Sequence, residues 1–351
     1  MTDLILHIGL PKAGSTTIQE QVLKGYPAYL GKVKGGNEKR HLYREFNRKT
    51  PPGNISYWER KIGSWAKKVE KWRRKEAPYC DKIIVSNENL MAFDPFEGLY
   101  NDYYSESPGV GSFLEGFFWP IAPCIKVLRN GVWPYGEVKV LVVLRNQSDW
   151  LGSSYAQQSH IFKGASQEDF EKRVRRLIDK NPCFLDWSLL VRELEMVLNG
   201  DNLGIFLMED MGDEFFWDDF VSFIGLDDFN REKNFKEVVP HHNLRKEKCG
   251  GWRIRSLYEE RGRGGEALLG HFWAPAHSSK MYYPSKKFFY FLSKKFRRLD
   301  NLAKALLDND ERDHKIIMSS DLRCDIEKAC KPFNARLANR INRPDIFKLG
   351  Y

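Results

Sequence analysis

Residues 4–17 constrain the fold more tightly than any other stretch. An apolar run, Leu4 to Ile8, enters the turn Gly9-Leu10-Pro11-Lys12-Ala13-Gly14, and a helix-like run, Thr16 to Lys24, leaves it behind Ser15. A short unbroken apolar run reads as a strand buried on both faces, the kind found in parallel sheets. A strand that feeds a helix through so short a turn makes an α/β unit. It also leaves the first N–H groups of the helix unpaired where the helix dipole is positive, a geometry suited to phosphate-like anions. Ser15, Thr16 and Thr17 add three hydroxyls at that point.

Gly9 and Gly14 have the G-x-x-x-x-G spacing of the nucleotide-binding Walker A loop, but Ser15-Thr16 follow where that loop needs Lys and then Ser or Thr. The lysine has moved into the turn as Lys12, beside whatever group is bound. The bland alternative is an ordinary βα turn carrying a surface lysine. The segment Pro11-Lys12-Ala13-Gly14-Ser15-Thr16-Thr17 resembles the 5′-phosphosulfate-binding loop of sulfotransferases that use 3′-phosphoadenylyl sulfate, whose pattern is roughly P-K-[TSA]-G-[ST]-[ST]. The resemblance implies an α/β fold of P-loop type, with a central parallel sheet flanked by helices. It assigns Pro11, Lys12, Ala13, Gly14, Ser15, Thr16 and Thr17 to binding the donor.

A second motif lies far along the chain. Val138 to Leu144 (VKVLVVL) is the clearest strand, and it ends at Arg145, with Ser153 eight residues on in a following helix. In the sulfotransferase family that Arg and Ser bind the 3′-phosphate, and Tyr155 continues the pattern. Gln147 stands where many members carry Pro, which loosens the turn without removing a ligand. The chemistry is sound by itself: a guanidinium binds phosphate bidentately and a neighbouring hydroxyl completes the cradle. A third segment runs from the strand Asn202–Met208 through Glu209-Asp210-Met211 and the helix Asp213–Ile224 to Gly225-Leu226. It is similar to the family's Y-E-D-[LM]…F-[LI]-G-L segment, with Met208 in place of Tyr, and reads as structural: a strand, a capped helix and a glycine stop.

The rest of the chain fills in an α/β protein. Residues 26–56 are rich in turn formers. From Tyr57 to Lys75, the residues Trp58, Ile62, Trp65, Val69 and Trp72 recur at helical spacing, a core-facing stripe on a basic helix. Lys82 to Ser86 is a short β-branched strand ending in Asn87-Glu88-Asn89. Residues 93–136 are aromatic and rich in Gly and Pro, which suits either an acceptor-site lid or a helical subdomain packed on the core. Helices are expected near 167–180 and 184–199. Beyond about residue 235 the segments are basic and mainly helical, including His241-His242-Asn243-Leu244-Arg245-Lys246 and Arg261-Gly262-Arg263-Gly264-Gly265, which could fold over a cofactor. The expected organisation is a donor-binding core over 1–235 and a C-terminal extension over 236–351 packed on it.

Composition narrows the partners. The chain has 351 residues, is 42% hydrophobic and 29% charged, and carries a formal charge of +9, which suits anionic ligands. No stretch approaches the roughly 20 apolar residues of a membrane span. The immediate entry into a strand leaves no room for a signal peptide, so a cytoplasmic location is expected; association with a membrane surface stays open, as does the oligomeric state. The six cysteines are scattered, without a C-x-x-C pair, and are expected as free and mostly buried thiols. Neither a metal centre nor a nucleic-acid-binding motif is expected.

Taken with the resemblance, these features imply transfer of a sulfuryl group from 3′-phosphoadenylyl sulfate to a hydroxyl, less readily an amine, of a carbohydrate or other small acceptor. Adenosine 3′,5′-bisphosphate would be the product and no metal would be needed. Lys12 would stabilise the leaving phosphate. Glu88 is the first candidate for the base, since it follows a strand end where functional groups cluster in parallel sheets; a carboxylate placed only at a helix start is its structural counterpart. His160 is the second candidate. His7, inside the first strand, reads as a core histidine. Two other readings remain: a P-loop kinase or NTPase, in which Glu209 or Asp210 would hold Mg²⁺, and a polyanion-binding module without catalysis.

Overall fold

The structure is a computed structural model that describes residues 1–10, 12–31, 55–86, 96, 133–159, 162, 165–180, 182–226, 251–254 and 315–351. Five parallel strands form its centre: β1 (Asp3–His7), β2 (Tyr29–Leu30), β3 (Lys82–Ser86), β4 (Val138–Leu144) and β5 (Leu203–Leu207), in the order β2-β3-β1-β4-β5. The three inner strands are almost wholly buried. That burial explains their continuous apolar runs in place of an alternating pattern.

Strand order decides where a site can form. From β1 the chain moves to β2 on one side, and from β4 it moves to β5 on the other. The loops leaving β1 and β4 therefore diverge and open a crevice between the carboxyl ends of these two neighbours. Register sharpens this. His7, the last residue of β1, lies opposite Leu141, while β4 runs on to Leu144. The overhang of about 10 Å, at roughly 3.3 Å per residue, lays the turn after β1 alongside the end of β4.

Helices flank the sheet. The segment after β1 forms one α-helical turn, α1 (Ser15–Thr17), and continues as a π-helical stretch, Ile18–Leu23. Helix α2 (Ile55–Glu76) buries Ile62, Trp65 and Val69, so these members of the tryptophan stripe are core. Arg73 holds the buried Glu70 through two 2.9 Å bonds and donates to the carbonyls of Pro78 and Cys80, closing the helix end. Helix α3 (Gln147–Gln158) follows β4 and is capped by the Asn146 side chain. Next come α4 (Gln167–Lys180) and α5 (Trp187–Glu195), the latter shorter than its sequence pattern because a 3₁₀ turn, Pro182–Leu185, precedes it. Helix α6 (Glu214–Ile224) starts on an Asp213 cap and stops at Gly225, whose φ of 63° is the left-handed value of a glycine helix stop.

The C-terminal part adds an unexpected strand pair and a helix of the kind expected there. Gly251–Arg253 and Lys315–Ile317 pair antiparallel as β6 and β7. The long helix α7 (Ser320–Arg340) packs on α3, α4 and α5. Gln147 explains part of that docking. Its amide exchanges hydrogen bonds of 2.8 and 3.3 Å with Asn334 of α7 and donates to the Leu185 carbonyl, all out of solvent. Gln147 is thus a buried anchor for α7.

The aromatic stretch lies mostly outside the described residues. Phe96 packs edge-on against Tyr155, and Trp133 donates to the Thr2 carbonyl, so both are core. Among the four described cysteines, all free, only Cys330 is buried; Cys80 and Cys183 are half-buried and Cys324 is exposed, which corrects the expectation of mostly buried thiols.

Replacing Asn334 by Leu is expected to cost about 1–3 kcal/mol, because it leaves the buried side-chain oxygen of Gln147 without its Asn334 donor. The double variant Gln147→Leu/Asn334→Leu is expected to be less destabilised than Asn334→Leu alone. Urea denaturation of both checks this, and a double variant weaker than the single would contradict it.

Candidate functional site

The turn after β1 is held in a conformation that few residues adopt freely. Lys12 has φ 72° and Gly14 has φ 76°. For a non-glycine residue the left-handed region costs on the order of 1–2 kcal/mol. Residues in such conformations recur at ligand sites, where the surroundings over-determine them. Here the surroundings are two. Gly14 packs so tightly under Met211 that a Cβ would stand 2.5 Å from the Met211 methyl. On the other side Arg145 Nη1 donates to the Lys12 carbonyl at 2.8 Å. The same alternation of backbone signs occurs in anion-binding nests. Among the described residues no side chain caps the start of α1, whose Thr17 N–H is spent on the Gly14 carbonyl at 2.9 Å.

Arg145 therefore joins the two motifs physically. Its guanidinium is 11% exposed and its Nη2 lies 3.7 Å from Asp149. Burial pulls its pKa down, and the charges of Asp149 and Glu209 work against that pull. Trp187 donates from its indole nitrogen to the Arg145 carbonyl at 2.9 Å. Next to it, Asn146 donates from both its backbone and its side-chain nitrogen to one oxygen of Glu209, at 2.9 and 3.0 Å. The other Glu209 oxygen accepts from the Tyr351 hydroxyl at 3.0 Å. Burial pushes the Glu209 carboxyl up, against the hydrogen bonds that favour its charge. Asp210 is held by Arg343 at 2.8 Å.

The sequence-selected residues fall into three groups. Lys12, Ala13, Gly14, Ser15, Thr16 and Thr17 form one loop, and Arg145 touches it. Ser153 lies on α3 one turn beyond Asp149, on the same face and buried. Its neighbour Gly152 lets the Trp252 ring approach to where a Cβ would clash at 2.6 Å. Pro11, Glu88 and His160 lie outside the described residues, as do 241–246 and 261–265. Tyr155 is fully buried and donates to Asp169 at 2.7 Å, so it is a core residue.

His7 is only half a core histidine. Its Nδ1 lies 2.7 Å from Ser86 Oγ, yet its Nε2 and the Ser15 hydroxyl are buried with no hydrogen-bond partner among the described residues. Asp149, Glu209 and Tyr351 escaped the sequence reading for a simple reason. Their importance comes from contacts with Arg145 and Asn146, and only the fold brings Tyr351 there.

Burial depresses the His7 pKa from 6.5 to about 4. The folded state thus prefers the neutral ring. This stabilisation is complete above about pH 6.5 and is lost as pH falls toward 4, in total about 3 kcal/mol. The variant His7→Gln is expected to lose stability less steeply than the parent between about pH 7 and 4 in urea titrations. Parallel slopes for the two proteins would contradict it.

No family model and no curated protein matches the chain. Among solved structures it is similar to a sulfotransferase from Alicyclobacillus acidocaldarius, at 14% identity and a TM-score of 0.35, over 63% of this chain and 80% of that one. A likeness that distant assigns no family.

Proposed function

We propose that the chain is a sulfotransferase that takes the sulfuryl group of 3′-phosphoadenylyl sulfate and passes it to a hydroxyl of an acceptor, in the first place a carbohydrate. The observation that carries this reading is the Arg145–Lys12 contact across the β1/β4 crevice. It joins a phosphate-type loop to a second cation at the point where parallel sheets bind ligands. A ligand spanning that crevice needs two separate anionic groups, which the 5′ and 3′ ends of this donor have.

The residues present suit such a ligand. Among the described residues the buried Ser15 hydroxyl has no partner and no side chain caps the start of α1. These would serve the 5′-phosphate, with Thr16 and Thr17. Arg145 would keep the Lys12 carbonyl with one arm and offer its remaining N–H groups to the 3′-phosphate, with Ser153 completing the cradle. The donor supplies an activated sulfur whose bond to the phosphate oxygen breaks as the acceptor oxygen attaches. The protein would do the rest by positioning and charge. Lys12 would stabilise charge on the departing phosphate oxygen. Glu88, two residues past the end of β3, would take the acceptor's proton, and His160 is the other candidate. The kinase alternative is weakened, because Asp210 is bound by Arg343 and Glu209 by Asn146 and Tyr351, which leaves neither carboxylate free for Mg²⁺.

Isothermal titration with adenosine 3′,5′-bisphosphate in the absence of metal is expected to show micromolar binding that Arg145→Ala abolishes. Tight binding of ATP with Mg²⁺ and none of the bisphosphate would overturn the reading. Lys12→Ala is expected to keep the fold and the bisphosphate affinity within a few-fold while lowering the transfer rate. Glu88→Gln is expected to lower the rate by about 10²–10⁴, the usual worth of a general base. Unchanged rates in these variants would remove the assigned roles.

A further inference from the structure

Asp149 stands between two arginines from distant parts of the chain. Its Oδ2 lies 3.7 Å from Arg145 Nη2, and its Oδ1 lies 3.8 Å from Arg323 Nη2. Arg145 leaves the end of β4, whereas Arg323 sits in the first turn of α7. The fold fixes that turn. The Ser319 hydroxyl accepts from the Leu322 N–H at 3.3 Å, and the Ser319 carbonyl accepts from the Arg323 N–H at 2.9 Å. Arg175 of α4 pairs with Asp325, and the Gln147–Asn334 pair holds α7 on α3 further along.

Both separations are longer than a hydrogen bond, so Asp149 offsets the two charges without using up their donors. A guanidinium has five N–H groups. Arg145 spends one on the Lys12 carbonyl. The charged partner of Arg323 among the described residues is Asp149, and its side chain is 38% exposed, which places it at the rim of the site above the deeper Arg145. The carboxylate turns one oxygen toward each guanidinium. A phosphate can do the same with a larger charge, and arginine forks bind either group.

We propose that Arg323 is a further cation of the donor site and Asp149 its internal competitor: Arg145 and Arg323 both bind the 3′-phosphate, and Asp149, held between them, limits how tightly. The proposal rests on reading the β1/β4 crevice as the site of 3′-phosphoadenylyl sulfate. With the site empty, Asp149 compensates Arg145, a buried cation that would otherwise destabilise the fold. With the 3′-phosphate present, the same carboxylate faces a like charge and competes for the same N–H groups, which weakens binding. Donor and product both carry the 3′-phosphate. Without Asp149 the product would be held longer, and product release sets the turnover of many enzymes.

Calorimetry with adenosine 3′,5′-bisphosphate and with adenosine 5′-monophosphate, which lacks the 3′ group, tests this. Arg323→Ala is expected to weaken bisphosphate binding about tenfold, the effect of one hydrogen bond to a charged group, and to leave the monophosphate unchanged. Asp149→Asn and Asp149→Ala are each expected to tighten bisphosphate binding about tenfold, to slow its dissociation in stopped flow, and to leave the monophosphate unchanged. Both should also unfold at lower urea, because Arg145 loses its counter-charge. Tighter binding in a less stable protein is an outcome that a merely structural role for Asp149 does not give. Parental bisphosphate affinity in Arg323→Ala, or no tightening in the Asp149 variants, would overturn the proposal. The donor reading would still stand as long as the parent prefers the bisphosphate to the monophosphate. A parent that binds neither nucleotide, or both alike, would overturn both. Arg323→Ala, a change at a half-exposed helical position, decides the matter even if the Asp149 variants do not fold.

Discussion

A buried guanidinium bridging two strand ends is the contact on which the rest of the site depends. Arg145 leaves the end of β4 and donates to the carbonyl of Lys12 in the turn after β1. A cation taken out of water must be compensated nearby or it destabilises the fold. Asp149 supplies the near charge and Glu209 a further one. Glu209 is itself buried, and is held by Asn146 and Tyr351. The network thus runs from the loop through β4 and β5 to residue 351. Changing Arg145 disturbs a loop, a helix start and a distant segment together, and not a single ligand contact.

The loop needs that support because its backbone is unfavourable alone. Lys12 sits at positive φ, and Gly14 combines positive φ with a close approach to Met211. Neither position tolerates an ordinary side chain and backbone at low cost. The geometry is set by Arg145 and Met211, just beyond the ends of β4 and β5, so it is ready before any ligand arrives. For an anion site such pre-organisation matters, since donors that must be gathered on binding lose affinity to ordering.

Much of this was legible in the sequence, for identifiable reasons. Buried parallel strands betray themselves as continuous apolar runs, so β1, β3 and β4 could be read off to within a residue. Asp213 and Gly225 mark the ends of α6 by local capping chemistry alone. Gln147 could be seen as a departure from the sulfotransferase motif that the segment resembles, but its purpose could not. Its partner Asn334 is 187 positions away, and the pairing exists only once α7 lies on α3. His7 shows the opposite limit. Its place in a strand argued correctly for burial, yet an unpaired Nε2 is a property of three-dimensional surroundings and leaves no trace in spacing. The two-residue strand β2 and the β6–β7 pair are too short to carry a periodic signal.

Hydrogen–deuterium exchange of the backbone, with and without adenosine 3′,5′-bisphosphate and without metal, addresses the central claim most directly. If one ligand bridges the two motifs, amides of residues 12–17 and of 145–153 gain protection together, and Arg145→Lys uncouples them. Protection of the first segment alone, or protection only by ATP with Mg²⁺, would contradict a site built on both.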